Sequence, residues 1–131
     1  MTATRIVRVV GPAVAAAMVL GGLQAGAAQE VRNPIPPSPD SLAIGRTIYA
    51  EHCAVCHGVN GRGDGPLART MVPRPADFRV HLAEGHSDAQ LFEWVSNGVP
   101  DTGMTGFADV LSDEERWHVI NYILTFLPVE R

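Results

Sequence analysis

Five consecutive residues, Cys53-Ala54-Val55-Cys56-His57, constrain this chain more than any other feature. Two thiols three positions apart can each add across one of the two vinyl groups of a single haem. The imidazole that follows the second thiol can then ligate the iron. C-x-x-C-H therefore points to covalent c-type haem attachment. Cys53 and Cys56 are the only cysteines in the chain, so two thioether links would use every thiol.

Two other readings of these residues are weaker. A thioredoxin-like redox pair wants its C-x-x-C at a strand-to-helix junction in a βαβ pattern, and no such pattern precedes Cys53. A zinc site could be drawn from Cys53, Cys56, His81 and His86, but the stretch between Cys56 and His81 is far longer than a zinc-finger spacing.

The N-terminus has an export signature. Arg5 and Arg8 precede an uncharged apolar run from Val9 to Leu23, and Ala25-Gly26-Ala27-Ala28 then leads into polar Gln29-Glu30. Basic, apolar and small-residue regions in that order describe a secretory signal peptide over residues 1–28. An uncleaved anchor is the rival, since the run extended to Ala28 approaches the ~20 apolar residues that span a bilayer. Its glycines, Pro12 and many alanines make it weakly hydrophobic for that purpose. No cysteine lies near the cleavage site to carry a lipid.

The remainder divides into a Pro-rich leader, 29–38, and one small domain, 39–131. Pro34, Pro36, Pro37 and Pro39 predict an extended leader with little capacity to pack. All ten basic residues are arginine, against 14 acidic ones, and the formal charge is −4. Loss of Arg5 and Arg8 with the signal would deepen it. Such a surface argues against nucleic acid, which needs clustered cations. It is compatible with redox partner proteins that dock through a basic face.

Three helices are predicted. Ser38-Pro39-Asp40 supplies an N-cap, a proline at the first helical position and an acid in the first turn. That helix runs to about Ala54, with Gly45, Tyr49 and Cys53 on one face. Gly45 is unfavourable inside a helix and calls for the close approach of another helix. Gly58, Gly61, Gly63 and Gly65 form a loop expected to fold around a haem edge, and no lysine follows to make it a P-loop. Pro73 and Pro75 limit any helix before Phe78 to a short one. Ser87-Asp88-Ala89-Gln90 and Ser112-Asp113-Glu114-Glu115 are capping boxes that open two further helices. The first of these stops at Gly98. The second carries Trp117, Ile120, Ile123, Leu124 and Leu127 on its apolar face and stops by Pro128. The fold class is all-α.

An electron-carrying haem iron needs a sixth ligand, commonly Met or His. Met1 and Met18 lie in the export segment, which leaves Met71 and Met104. Met104 sits in Asp101-Thr102-Gly103-Met104-Thr105-Gly106-Phe107, a flexible Gly-rich loop able to lie against a haem face, and is the predicted ligand with His57. Met71, followed by Val72-Pro73, reads as a core filler. His52 reads as an exposed helix residue, and His118 as a solvent-facing or packing residue of the last helix. His81 and His86 are the only histidine rivals, and surface positions suit them better.

With these elements assembled, Asp40 to Leu127 resembles the class I c-type cytochromes, in particular small bacterial monohaem ones. The resemblance rests on Gly45-x3-Tyr49-x3-Cys53-x2-Cys56-His57-Gly58, on Gly98 through Met104 to Phe107, and on Leu111-Ser112-x2-Glu115-Arg116-Trp117-x4-Tyr122. It implies that Gly45 and Tyr49 pack on Val119 and Tyr122 where the first and last helices cross. It implies one haem c, and a proline carbonyl that orients the axial His57, with Pro66, Pro73 and Pro75 as candidates. Arg74 and Arg79 become candidates to hold haem propionates. Where the family commonly has Met-Pro at the distal ligand, this chain has Met104-Thr105. Covalent attachment in that family takes place outside the cytoplasm, so a periplasmic location is expected, membrane-bound only if the N-terminal segment is retained.

The function expected is one-electron transfer with His57 and Met104 on the iron, without substrate turnover. The alternative is a fixed haem subunit of a periplasmic dehydrogenase or terminal-oxidase complex, which the Pro-rich leader would suit. A ligand-binding or peroxidatic haem protein would need an open iron position and a distal acid–base pair, and no such pair is evident.

Overall fold

The computed structural model describes residues 30–128. The signal-peptide and anchor readings of residues 1–28 therefore lie outside the described residues. Five helices follow in order: α1 (Pro39–His52), α2 (Ala54–His57), α3 (Phe78–His81), α4 (Asp88–Asn97) and α5 (Asp113–Leu124). There is no strand among the described residues, only an isolated antiparallel bridge between Gly98 and Thr105. None of these helices is long and apolar enough to cross a membrane.

The capping chemistry starts the three longer helices where the sequence places them. Ser38 Oγ accepts from the Ser41 backbone N–H at 3.2 Å, and both capping boxes are closed, Ser87 with Gln90 and Ser112 with Glu115. Each such cap contributes ~1 kcal/mol by satisfying donors that have no partner within the helix. The first helix is shorter than predicted. It ends at His52, and a separate turn, α2, starts from the Cys53 carbonyl, which accepts from His57 N–H at 2.9 Å. The last helix likewise ends at Leu124, before Pro128.

α1 crosses α5 at Gly45. A Cβ built there would collide with the His118 carbonyl and lie 2.9 Å from Tyr122 Cβ. The missing side chain is thus what lets two backbones meet, as the resemblance implied. One turn on, Tyr49 is buried, its ring 5.3 Å from those of both Tyr122 and Phe126. Val119 and Ile120 are wholly buried beside this crossing. Leu91 and Val95 of α4 complete the core with Leu82, Leu111, Trp117 and Ile123.

Two expectations are corrected. The leader is docked. Asn33 Nδ2 donates to the Trp117 carbonyl at 3.1 Å and to Asn121 Oδ1 at 2.9 Å, and Asn121 Nδ2 donates back to the Ile35 carbonyl at 3.0 Å. Ile35 also packs against the core. Of the two places expected for His118, solvent or packing, only the solvent-facing one is overturned, since the residue is buried. Its Nδ1 lies 2.9 Å from Ser41 Oγ, which also accepts from Asn121 Nδ2. One polar network therefore ties the leader, α1 and α5 together, and buried polar groups need such partners.

Gly45→Ala tests the crossing. Alanine would gain ~1 kcal/mol of helix propensity at an exposed site, but here it meets a backbone carbonyl that cannot rotate away. A net loss of about 1–3 kcal/mol in denaturant unfolding of the haem-loaded protein is expected. An unchanged or raised stability would contradict the close approach.

Candidate functional site

The α1–α2 junction presents Cys53, Cys56 and His57 to a cavity of about 520 Å³, within the ~300–1,000 Å³ usual for cofactor sites. Its walls are mostly apolar. Val119, Ile120 and Ile123 come from α5, Leu91, Trp94 and Val95 from α4, and Phe107 and Leu111 from the loop between them. Burial pushes the Cys53 thiol up to about 12, with the neighbouring Cys56 adding to the effect. A thiol held so firmly protonated is unlike a low-pKa redox nucleophile, and the described residues hold no strand to make the thioredoxin-like junction.

His57 is buried, and desolvation lowers its pKa. The Ala76 carbonyl, 3.3 Å from Nδ1, opposes that shift by accepting from the ring. A neutral ring that donates through Nδ1 keeps the Nε2 lone pair available for a metal, and such a partner fixes ring orientation. Phe78 stacks on the same ring at 4.4 Å with planes 14° apart. The acceptor is thus Ala76, and none of Pro66, Pro73 or Pro75. The Pro75 carbonyl faces Gly63 instead.

The Gly-rich loop has a structural task besides the one expected of it. Gly63, Gly65 and Leu67 N–H groups donate to the carbonyls of His57, Cys56 and Val55 at 2.8, 3.1 and 3.0 Å. The loop thereby satisfies the otherwise unpaired end of α2. Tyr49 Oη adds a 2.7 Å bond to the Gly58 carbonyl, and burial raises the pKa of that phenol, keeping it a donor.

Met104 lines the same cavity. Its loop is pinned rather than flexible. Val99 N–H donates to the Met104 carbonyl at 3.1 Å, and Met104 N–H donates to Thr102 Oγ1, also at 3.1 Å. Thr102 Oγ1 in turn donates to the Val99 carbonyl at 2.7 Å. Phe107 and Ala108 N–H groups then bond the Val95 and Ser96 carbonyls of α4. Met71, expected in the core, also reaches the cavity, with its Cε against Gly103. Both methionines therefore face the space into which Cys53, Cys56 and His57 project.

Of the remaining candidates, His52, Arg74 and His81 line the cavity. Arg79 is instead engaged by Asp77, Nε to Oδ1 at 3.0 Å, a bond that holds the Asp77 carboxyl below its ordinary range. His86 lies beside His81 and Trp94. Ala76 escaped sequence reasoning because a backbone carbonyl carries no side-chain signature. Two thiols, a neutral imidazole and thioether sulfur around a large apolar space fit a covalently attached haem.

The cytochrome c family model matches residues 42–126. A thiosulfate dehydrogenase of Stutzerimonas stutzeri (strain A1501) is 32% identical over 92 residues, which is 69% of this chain and 29% of that protein. Among solved structures, a chain of the Kuenenia stuttgartiensis reducing HAO-like protein complex Kustc0457/Kustc0458 is 34% identical with a TM-score of 0.65. The match covers 72% of this chain and 47% of that one. The KustC0563 c-type cytochrome is 27% identical with a TM-score of 0.55, over 64% of this chain and 98% of its own. This chain thus spans under a third of the matched dehydrogenase and about half of the matched complex subunit.

Gly63→Ala and Gly85→Ala, compared by denaturant unfolding, test how the His57 partner is held. Both glycines have positive φ, +68° and +82°, so both substitutions carry backbone strain. Only at Gly63 would the new Cβ meet backbone, that of Pro75 and Ala76, whereas nothing lies within 4 Å at Gly85. Gly63→Ala should be the more destabilising by at least ~1 kcal/mol. Equal losses would contradict the packing of this loop behind Ala76.

Proposed function

We propose a function from one established premise: the chain belongs to the cytochrome c family. Its haem c is attached through Cys53 and Cys56, and haem-based electron transfer is its activity. The finer reading is a one-electron carrier in which His57 and Met104 are the axial ligands. The observation that carries it is the convergence of Cys53, Cys56, His57 and Met104 on one apolar cavity.

Haem iron held by an imidazole and a thioether supplies an Fe(III)/Fe(II) couple of raised potential, because thioether is a weak donor that favours Fe(II). The chain's own residues set the conditions for that couple. Ala76 holds His57 through Nδ1, Phe78 limits its tilt, and Thr102 and Val99 fix the Met104 backbone. Anchored in this way, His57 and the Met104 backbone would hold their places in either oxidation state of a bound haem. The α4 and α5 side chains give the interior of the site an apolar wall. Arg74, free of the pairing that occupies Arg79, is the remaining candidate to meet a propionate.

A second reading has its own support. The matched relatives are a thiosulfate dehydrogenase and a subunit of an HAO-like complex, each much longer than the matched segment. This chain would then serve as a fixed relay that passes electrons to redox partner proteins within an oxidoreductase assembly. Recovery of a monomer under native purification favours the diffusing carrier, and stoichiometric co-purification favours the relay. Either reading carries an exported, periplasmic location, supported by the basic and apolar N-terminal pattern.

The ligand assignment is tested in the oxidised protein. Met104→Ala should abolish the sulfur-to-iron charge-transfer band and lower the midpoint potential. Met71→Ala should keep the band. A band that survives in Met104→Ala and vanishes in Met71→Ala would overturn the assignment.

A further inference from the structure

Beside the haem cavity, which His81 lines, stand three side chains of metal-ligating type. His81 ends α3, Glu84 ends the 3₁₀ turn Leu82–Glu84, and His86 follows after Gly85. This tight reversal brings one ligand atom from each residue within 4.8 Å of the other two. His81 Nδ1 already lies 3.4 Å from Glu84 Oε2. Four ligand atoms held ~2.0–2.1 Å from a tetrahedral ion stand about 3.4 Å apart, so this pair has the right separation.

His86 gives the independent observation. Its Nε2 is buried without a hydrogen-bond partner, and buried polar nitrogens ordinarily have one. The ring lies 4.5 Å from that of His81 and 4.8 Å edge-on from Trp94. Apolar packing thus holds two imidazoles side by side, with a carboxylate next to one of them. A simple His81–Glu84 ion pair leaves His86 Nε2 without a protein partner, and a metal ion would give it one.

We propose that His81, Glu84 and His86 bind one divalent transition-metal ion of the zinc class, distinct from the haem iron. Two imidazoles and a carboxylate are a donor set for such ions, whereas calcium and magnesium prefer oxygen alone. Three protein ligands leave a further position for water or for an exogenous ligand. Metal would bind with His81 and His86 neutral, and the exposed Glu84 side chain is free to turn toward it.

The test is calorimetric titration of zinc sulfate into the haem-loaded protein after removal of adventitious metal. Thioether-bonded Cys53 and Cys56 cannot compete for zinc there. One zinc per chain is expected, with nitrogen and oxygen ligands at ~2.0–2.1 Å by X-ray absorption at the zinc edge. Glu84→Gln and His86→Gln should each weaken binding by ~10–100-fold or more and leave the haem spectrum unchanged. If His86→Gln fails to fold, Glu84→Gln, which alters an exposed carboxylate, carries the test alone. Absence of saturable binding at millimolar zinc, or equal affinity in Glu84→Gln and the unaltered protein, would overturn the proposal.

Discussion

The rest of the structure depends on the contact of α1 with α5 at Gly45. Only a residue without a side chain lets the α1 backbone reach the His118 carbonyl. That contact sets how α1 lies on α5, and the end of α1 is where Cys53 begins the haem-attachment turn. It also fixes α5, whose Val119, Ile120 and Ile123 form a wall of the same cavity. Thiols and wall are therefore set by one helix crossing. Tyr49 carries the constraint further, since it packs on α5 through Tyr122 and bonds the Gly58 carbonyl just beyond His57.

A second constraint acts on the loops. The carbonyls at the end of α2 need donors, and the Gly-rich loop provides them from Gly63, Gly65 and Leu67. That loop then backs the Pro75–Ala76 segment, whose Ala76 carbonyl meets His57. The Met104 loop is tied in the same manner to the end of α4. Both sides of the site thus rest largely on backbone hydrogen bonds, with the Thr102 hydroxyl as a side-chain contribution on the Met104 side.

Much of this was legible in the sequence, because it is written in side chains at short range. Ser38, Ser87 and Ser112 marked the helix starts, Gly45 marked the crossing, and Cys53, Cys56 and His57 marked the attachment site. What could not be read is long-range or carried by backbone. Asn33 finds Asn121 across 88 residues, and no periodicity announces such a pair, so the leader was read as an unpacked spacer. Ala76 contributes only its carbonyl. Met71 was read as a core residue, since apolar character does not distinguish a core from a cavity wall. α3 is four residues long and lacks the repeat that reveals a helix.

The central claim is that one haem is bound to this chain through both cysteines, with His57 beside them. Tandem mass spectrometry of a protease digest of the purified protein tests it directly. A single peptide that carries Cys53 and Cys56 with one haem mass, bonded to both sulfurs and resistant to acidic extraction, is the predicted result. Free thiols, a Cys53–Cys56 disulfide, or haem lost on extraction would contradict it.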